Sequence, residues 1–315
     1  MTRSDAFQKV RRSWLLVPAS SPQRIGTAHL SGADVVVLDL AELVPEAHKP
    51  SARETIEAAI QQVKAGGAEV FVQVDPELMY ADLGAAVWPG LTGIVIARTE
   101  SPQQMEEAHQ RLDRLEEERG LLPDSLEIVA ALETAQGNHQ GYQIAAASPR
   151  IWGLTLGRAD LVMDLRPEPS GEIHMMQYLM QRLITLANAV GAVPLGAWWR
   201  KPDRGLLATP ENTYTAGFRG RAIGFKGSMC LNEEQVGPLN QAFTPTDFEV
   251  GAAGSLLDAY RDGVAQGMAA AKWDERVIDR GAAAQAQAIM NLASACAARD
   301  EEKLAAMEQR PVPAP

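Results

Sequence analysis

Short apolar runs of about five to eight residues recur through roughly the first 240 residues of the chain. They are rich in Val, Ile and Leu, and turn residues bound most of them. Runs of this length and hydrophobicity are typical of strands buried on both faces of a parallel sheet. We predict eight such strands, at Trp14–Pro18, Ala33–Leu40, Val70–Val74, Gly93–Ala97, Leu126–Leu132, Ile151–Gly157, Val193–Ala197 and Lys226–Leu231.

Helical signals separate these strands. Ser51 with Glu54 has capping-box spacing and opens a helix to about Lys64, and Ser101 with Pro102 opens a charged helix to about Gly120. Small residues around 143–147 and the segment 173–190 are also predicted to be helical. Strands that alternate with helices in this number favour an α/β fold, a (β/α)8 TIM barrel over residues 11–242. A doubly wound sheet is the alternative.

A helical region follows the barrel, over residues 243–305. Thr246 and Glu249 cap a helix to about Gly263, residues 272–276 are predicted to form a turn region, and residues 282–304 an alanine-rich helix. Residues 306–315 are expected to be a disordered tail. The glycine-rich segment 217–221 lacks the frame of a phosphate loop, so we interpret it as a turn.

Composition narrows the classes of function. The chain has 315 residues with 46% hydrophobic content, and 29 basic against 40 acidic residues give a net charge of −11, which argues against a nucleic-acid partner. No apolar run approaches the length of a membrane span or of a signal sequence, so we expect a cytoplasmic protein without a membrane partner. Neither the two cysteines, Cys230 and Cys296, nor the scattered histidines have the spacing of a metal site.

Two acids stand just past consecutive predicted strands. Glu133 follows Leu126–Leu132, and Asp160 follows Ile151–Gly157. Because parallel strands end at the same edge of a sheet, the two carboxylates are predicted to lie together, and Mg²⁺ prefers one or two carboxylates. The alternative is that Thr134 and Asp160 only cap helices.

Other polar residues also follow strands, on the side where barrel enzymes have their active sites. Each is individually expected to be an ordinary loop residue, but together they describe a site for a small anionic ligand beside a divalent cation. Trp198-Trp199-Arg200-Lys201 is interpreted as a wall of this site, or as a cover of the core or of a subunit interface. The polar residues are Asp39, Glu42, Gln73, Asp75 and Arg98.

Several motifs resemble a known family over residues 11–300. They include Arg12-Ser13 with Val17-Pro18, Ser31–Leu40, Leu132-Glu133-Thr134-Ala135, Ala147–Arg150, Gly157 with Asp160-Leu161, and Phe243-Thr244-Pro245. In order and spacing they closely resemble the citrate lyase beta-subunit-like, acyl-CoA lyase branch of the HpcH/HpaI aldolase superfamily.

The resemblance implies a (β/α)8 barrel that binds Mg²⁺ and an acyl-CoA thioester together with a small oxo acid. It implies a homotrimer, or a multiple of one, with C-terminal helices exchanged between subunits. Glu133 and Asp160 match the family's metal ligands, and Asp279 resembles an acid that reaches a neighbour's site as general acid or base. Asp39 and Glu42 are further catalytic candidates, while Lys49 and Arg53 resemble a basic pair near the CoA phosphates.

The chain departs from the family pattern in the part that holds the substrate. Ala41-Glu42 stands where the family has Glu-Asp, and Gln73 replaces the arginine that binds a substrate carboxylate. Ala97-Arg98 replaces a proline-lysine pair, and Asn232-Glu233 replaces His-Pro. Arg98 ends the neighbouring strand and is expected to compensate in part for the missing arginine.

The sequence thus predicts a Mg²⁺-dependent carbon–carbon lyase acting on a 3-hydroxyacyl-CoA such as a citryl-CoA-like or malyl-CoA-like thioester. Two alternatives stay open. One is a divergent paralog that binds metal and acyl-CoA with little lyase activity, which Gln73 and Ala41 favour. The other is an acyl-CoA thioesterase.

Overall fold

The computed structural model describes residues 9–166, 172–199, 208–268, 270–274 and 276–308, with residues 158–160 and 172–174 described by their backbone alone. They form two compact units. The first comprises residues 11–243 and 303–308, and the second comprises residues 9–10 and 244–302.

Eight parallel strands form one sheet in the first unit. Each strand pairs with the next along the chain, and β1 also pairs with β8. Two main-chain hydrogen bonds, from Gly196 to Gly227 (2.8 Å) and from Lys226 to Pro194 (3.0 Å), join the two remaining edges. The predicted (β/α)8 barrel is therefore confirmed, with β1 Ser13–Pro18, β2 Val35–Asp39, β3 Glu69–Val74, β4 Gly93–Ile96, β5 Glu127–Ala131, β6 Ile151–Thr155, β7 Val193–Leu195 and β8 Ser228–Cys230.

Helices connect the strands. The capping box predicted at Ser101 forms, since Ser101 and Gln104 bond each other's backbone groups. The one predicted at Ser51 and Glu54 was wrong, because that helix begins at Lys49, after His48, without a side-chain cap. The segment 217–221 lies inside a helix, so its interpretation as a turn was wrong. The helices of this unit are α1 Pro22–Ala28, α2 Lys49–Lys64, α3 Met79–Ala86, α4 Pro102–Glu118, α5 Ala135–His139, α6 Gly141–Ala146, α7 Arg158–Leu165, α8 Glu172–Val190, α9 Pro210–Ile223 and α10 Val236–Phe243.

Large side chains fill the interior of the barrel. Trp14 packs against Phe71 and Trp152, with ring centroids 4.8 and 5.5 Å apart, in a cluster that includes buried residues of seven strands, β1 to β7. Side chains alternate between the two faces of a strand, so the residues two positions beyond an interior residue also face inward. By this alternation, Asp39 and Gln73 face the interior at the carboxyl ends of β2 and β3, where they are register partners.

The second unit contains α11 (Asp247–Ala265), a hairpin of β9 (Ala271–Trp273) with β10 (Arg276–Ile278), and most of α12 (Arg280–Glu308). Residues 272, 273 and 276 of the predicted turn region thus belong to the two strands of this hairpin. Helix α12 continues to Glu308, and residues 309–315 lie outside the described chain. Exchange of this unit between subunits stays a prediction. In the part of the chain that the structure describes, no helix is apolar and long enough to cross a bilayer.

Candidate functional site

Glu133 lies just beyond the end of β5, half-buried, and its carboxylate is oriented by the neighbouring strand. Its Oε2 accepts a hydrogen bond from the backbone amide of Arg98 at 2.9 Å. Arg98 has a φ of 41°, in the left-handed region that non-glycine residues rarely adopt. Strain of this kind often accompanies functional sites, and here it aims a main-chain donor at the carboxylate.

A glycine makes room for this carboxylate. A Cβ at Gly157 would lie 2.1 Å from Oε1 of Glu133, so any side chain there would displace the acid. Gly157 is the N-cap of α7, and Asp160 is the third residue of that helix. Asp160 is therefore not a cap, whereas Thr134 caps α5 through the amide of Gly137. The side chain of Asp160 lies outside the described part, and its role as a metal ligand stays a prediction.

Asp39 and Gln73 form a buried polar pair beside this edge. Oδ1 of Asp39 accepts the amide of Ala41 at 2.5 Å, and Oδ2 lies 3.4 Å from Nε2 of Gln73. Burial raises the pKa of Asp39 to about 7, although the Ala41 amide opposes the shift. Glu42 is exposed nearby, and its charge adds to the increase. Asp39 is thus protonated in part near neutral pH, as a general acid or base requires.

Two cations converge on Asp75, which follows β3. Nζ of Lys49 donates to Oδ2 at 2.7 Å, and Nη2 of Arg98 donates to Oδ1 at 3.0 Å. Burial alone would raise the pKa of Asp75, but the hydrogen bond and charge of Lys49 outweigh it and hold the pKa below its usual value. Asp75 therefore stays charged and partly neutralises both cations.

The basic pair predicted to lie near the CoA phosphates is engaged within the barrel. Lys49 is 3% exposed and contacts Asp75 and Glu46, while Nε of Arg53 donates to the fully buried Asp82 at 2.7 Å. Its contact with CoA stays a prediction. In the second unit, Asp279 is exposed, and its Oδ1 caps α12 by accepting the amide of Ala282 at 2.9 Å.

The donor set suits a hard divalent cation. Glu133 supplies a half-buried carboxylate whose orientation is fixed, and α7, which carries Asp160, begins beside it. Magnesium takes one or two protein carboxylates and fills its other positions with water or substrate oxygens. Among the described side chains, no group of three acids, histidines or cysteines comes together.

Sequence reasoning missed an apolar cavity of about 380 Å³ on the other half of the barrel mouth. It lies at the ends of β6, β7 and β8, next to α8, and Trp199 is among its lining residues. The available signal was the mostly apolar character of the residues at and just beyond the ends of these strands, in contrast to Asp39 at the end of β2 and Glu133 just beyond β5. The two halves are called the apolar half (strands β6–β8 and β1) and the polar half (strands β2–β5) below.

The raised pKa of Asp39 gives a testable pH dependence. Between about pH 4 and pH 7 the folded protein holds a proton on Asp39 that the unfolded chain loses, so this residue makes unfolding easier as pH rises through that window. The amide introduced by Asp39→Asn does not titrate. We expect the free energy of unfolding of this variant, relative to the wild type, to increase over the window by at most about 4 kcal/mol and then to level off. Urea unfolding at several pH values measures it, and a flat difference would contradict the raised pKa.

Comparisons with known proteins identify the family of this chain. The model of the HpcH/HpaI aldolase/citrate lyase family matches residues 12–233. Citrate lyase subunit beta of Leuconostoc mesenteroides subsp. cremoris is 26% identical over 291 residues, which cover 91% of this chain and 95% of that protein. A (3S)-malyl-CoA thioesterase of Cereibacter sphaeroides is 27% identical over 273 residues, covering 85% of this chain and 89% of that protein.

A solved structure shares the fold. The crystal structure of CitE from Mycobacterium tuberculosis, in complex with magnesium, acetoacetate and coenzyme A, superposes with a TM-score of 0.72. Its sequence is 22% identical, and the match covers 91% of this chain and 99% of that one. The family match spans more than half of the chain and includes β1 to β8. The chain therefore belongs to the HpcH/HpaI aldolase/citrate lyase family and, as the sequence predicted, to its carbon–carbon lyases.

Proposed function

We propose that this protein is a Mg²⁺-dependent lyase that cleaves a 3-hydroxyacyl-CoA into an oxo acid and a shorter acyl-CoA, or catalyses the reverse condensation. The observation that carries the proposal is the oriented carboxylate of Glu133 at the barrel mouth, beside Gly157. The similarity to citrate lyase subunit beta, and to a fold that binds magnesium and coenzyme A in CitE, supports it.

Residues at the mouth of the barrel would have different roles in the reaction. Glu133 and Asp160 would hold the cation, which supplies Lewis-acid polarisation of the oxygen that becomes a carbonyl. Arg98 would bind the carboxylate of the oxo acid, since its guanidinium is 36% exposed and only partly engaged by Asp75. Asp39, with a pKa raised to about 7, is this chain's candidate for moving a proton near neutral pH, and Glu42 beside it is a further acid or base candidate.

A proton must also reach or leave C2 of the thioester. We assign this step to Asp279 of a neighbouring subunit in a homotrimer or a multiple of it, because Asp279 belongs to the C-terminal unit. An active site shared in this way is a property of the oligomer.

Asp279→Asn is expected to lower turnover by about 10²-fold, the usual contribution of a positioned acid or base. Asparagine keeps an oxygen that can cap α12, so assembly, stability and Mg²⁺ affinity should not change. Turnover, calorimetry and light scattering measure these properties.

Mixed oligomers test the shared site. After verified exchange between inactive Asp279→Asn and inactive Glu133→Gln subunits, some sites contain both wild-type residues, and activity should return. If no activity appears, Asp279 does not act across subunits.

Product analysis distinguishes the lyase from the second candidate, a thioesterase, which the similarity to a malyl-CoA thioesterase favours. Malyl-CoA or citryl-CoA is incubated with the protein and Mg²⁺, and the products are separated by mass. A lyase yields an oxo acid and acetyl-CoA, whereas a thioesterase yields free CoA and the hydroxy acid. If neither product forms with these or other hydroxyacyl-CoA thioesters, the protein is a binding paralog.

A further inference from the structure

The apolar half of the barrel mouth contains a cavity of about 380 Å³ that the reaction described above does not use. Its volume is in the range of small-ligand pockets. None of its lining side chains within the described residues is charged, and large apolar groups dominate them: Met176, Met180, Trp199, Phe225, Met229 and Leu231.

The cavity borders the residues assigned to the metal. Thr155 and Leu156 line it, and Gly157, the next residue, lies against the carboxylate of Glu133. A ligand atom held at Glu133 therefore has the polar half on one side and this cavity on the other.

The polar half offers little to a second carboxylate. Gln73 is neutral and 5% exposed, and the cations of β2–β5 and their loops already bind acids, with Lys49 and Arg98 on Asp75 and Arg53 on Asp82. Glu42 adds an exposed negative charge. A dicarboxylic oxo acid would thus meet one partly engaged arginine, Arg98, together with several acids.

We propose that the oxo acid of this site carries an aliphatic side chain of several carbons, which occupies the cavity, in place of a second carboxylate. The inference rests on the proposed lyase function. In the condensation, C2 of acetyl-CoA loses a proton and attacks the oxo carbon. The new carbon–carbon bond forms, and the former carbonyl oxygen takes up a proton to become the 3-hydroxyl group.

The test compares 4-methyl-2-oxopentanoate with oxaloacetate and pyruvate, each with acetyl-CoA and Mg²⁺. Condensation is followed by mass, and Mg²⁺-dependent binding of each oxo acid is measured by calorimetry. A hydrophobic pocket gains about tenfold or more for each well-packed methylene. We expect kcat/KM for the aliphatic acid to exceed that for oxaloacetate by at least about tenfold, and binding to follow the same order.

Two substitutions should reverse this preference. Ala197→Leu fills the cavity and should reduce the ratio of kcat/KM for the aliphatic acid to that for pyruvate by about tenfold, whereas Ala222→Leu, on the exposed surface of α9, should not change it. Gln73→Arg should raise the kcat/KM for oxaloacetate by restoring a charge-assisted partner. Should Ala197→Leu fail to fold, Met180→Ala enlarges the cavity and should shift the preference to longer chains.

The outcomes separate the two proposals. A preference for oxaloacetate over the aliphatic acid would refute the inference and leave the lyase intact. If no oxo acid condenses, the lyase proposal fails. The calorimetric comparison of oxo-acid binding then tests the cavity inference by itself. Tighter binding of the aliphatic acid would still support the cavity as its site, whereas equal or tighter binding of oxaloacetate would overturn it.

Discussion

Replacing Glu133 by glutamine is expected to abolish Mg²⁺ binding and to lower kcat/KM on the order of 10³-fold, because metal polarisation of a carbonyl is worth several kcal/mol. The amide has the same size and can still accept the hydrogen bond from Arg98. The variant should therefore keep its fold, and the lost Mg²⁺ affinity and activity can be attributed to the removed negative charge. Calorimetry with Mg²⁺ and an oxo acid measures the affinity, and steady-state kinetics measure the rate.

The same strand provides the matched control. Glu127 is the first residue of β5, whereas Glu133 lies just beyond the last one. Inside the barrel, Nη1 of Arg11 donates a hydrogen bond to Oε2 of Glu127 at 2.5 Å. Glu127→Gln removes one carboxylate from the other end of β5, so it should reduce stability without changing Mg²⁺ affinity. If both variants bind Mg²⁺ like the wild type, Glu133 is not a ligand.

Much of the barrel could be predicted because one physical signal dominates it. A strand covered on both faces must be apolar throughout, and this requirement alone identified all eight strands to within about two residues at most ends. Capping residues located the helix starts at Ser101 and Thr246, but not at Ser51, where the helix begins two residues earlier at Lys49. The segment 217–221 was misread because its glycines are selected by packing. A Cβ at Gly217 would lie 2.8 Å from Ala242, a contact that depends on another helix.

The site was predicted at the level of which residues face the barrel mouth, and no further. Strand ends nominated Asp39, Gln73 and Glu133, since the alternation of side chains is local. The hydrogen-bond partners of the site residues, by contrast, come from distant positions in the sequence. Nothing in the spacing indicates that Lys49 turns inward to Asp75, or that the amide of Arg98 turns toward Glu133 through a positive φ. The cavity is likewise formed by several segments that are distant in sequence.

Contacts between residues distant in sequence also explain the role of two charged residues, Arg12 and Asp34, which the sequence presented only within the family motifs. Arg12 and Asp34 are 2% and 0% exposed, and Nε and the backbone amide of Arg12 both donate to Oδ2 of Asp34 at 2.8 Å. Nζ of Lys303, from the end of α12, donates to Oδ1 at 2.6 Å. One buried carboxylate thus joins β1, β2 and α12 at the end of the barrel opposite the site.

Asp34→Asn is expected to lower the free energy of unfolding by about 3–5 kcal/mol, because it leaves two buried cations without their shared counter-charge. Burial alone would raise the pKa of Asp34, but Arg12 and Lys303 outweigh it and hold the pKa below its usual value. The stabilising charge is therefore present above about pH 4, where the unfolded carboxyl also ionises, and is lost only as the pH falls through the lower folded pKa.

A surface ion pair on α12 provides the control that distinguishes loss of the buried Asp34 charge from loss of any carboxylate charge. Arg299 and Glu302 lie 3.1 Å apart, and Glu302 is 68% exposed, so Glu302→Gln should cost less than about 1 kcal/mol. Urea unfolding near neutral pH measures both variants. Because Asp34 lies at the opposite end of β2 from Asp39, the folded Asp34→Asn variant should keep the wild-type kcat/KM. A cost no larger than that of Glu302→Gln would show that the buried carboxylate does not hold these elements together.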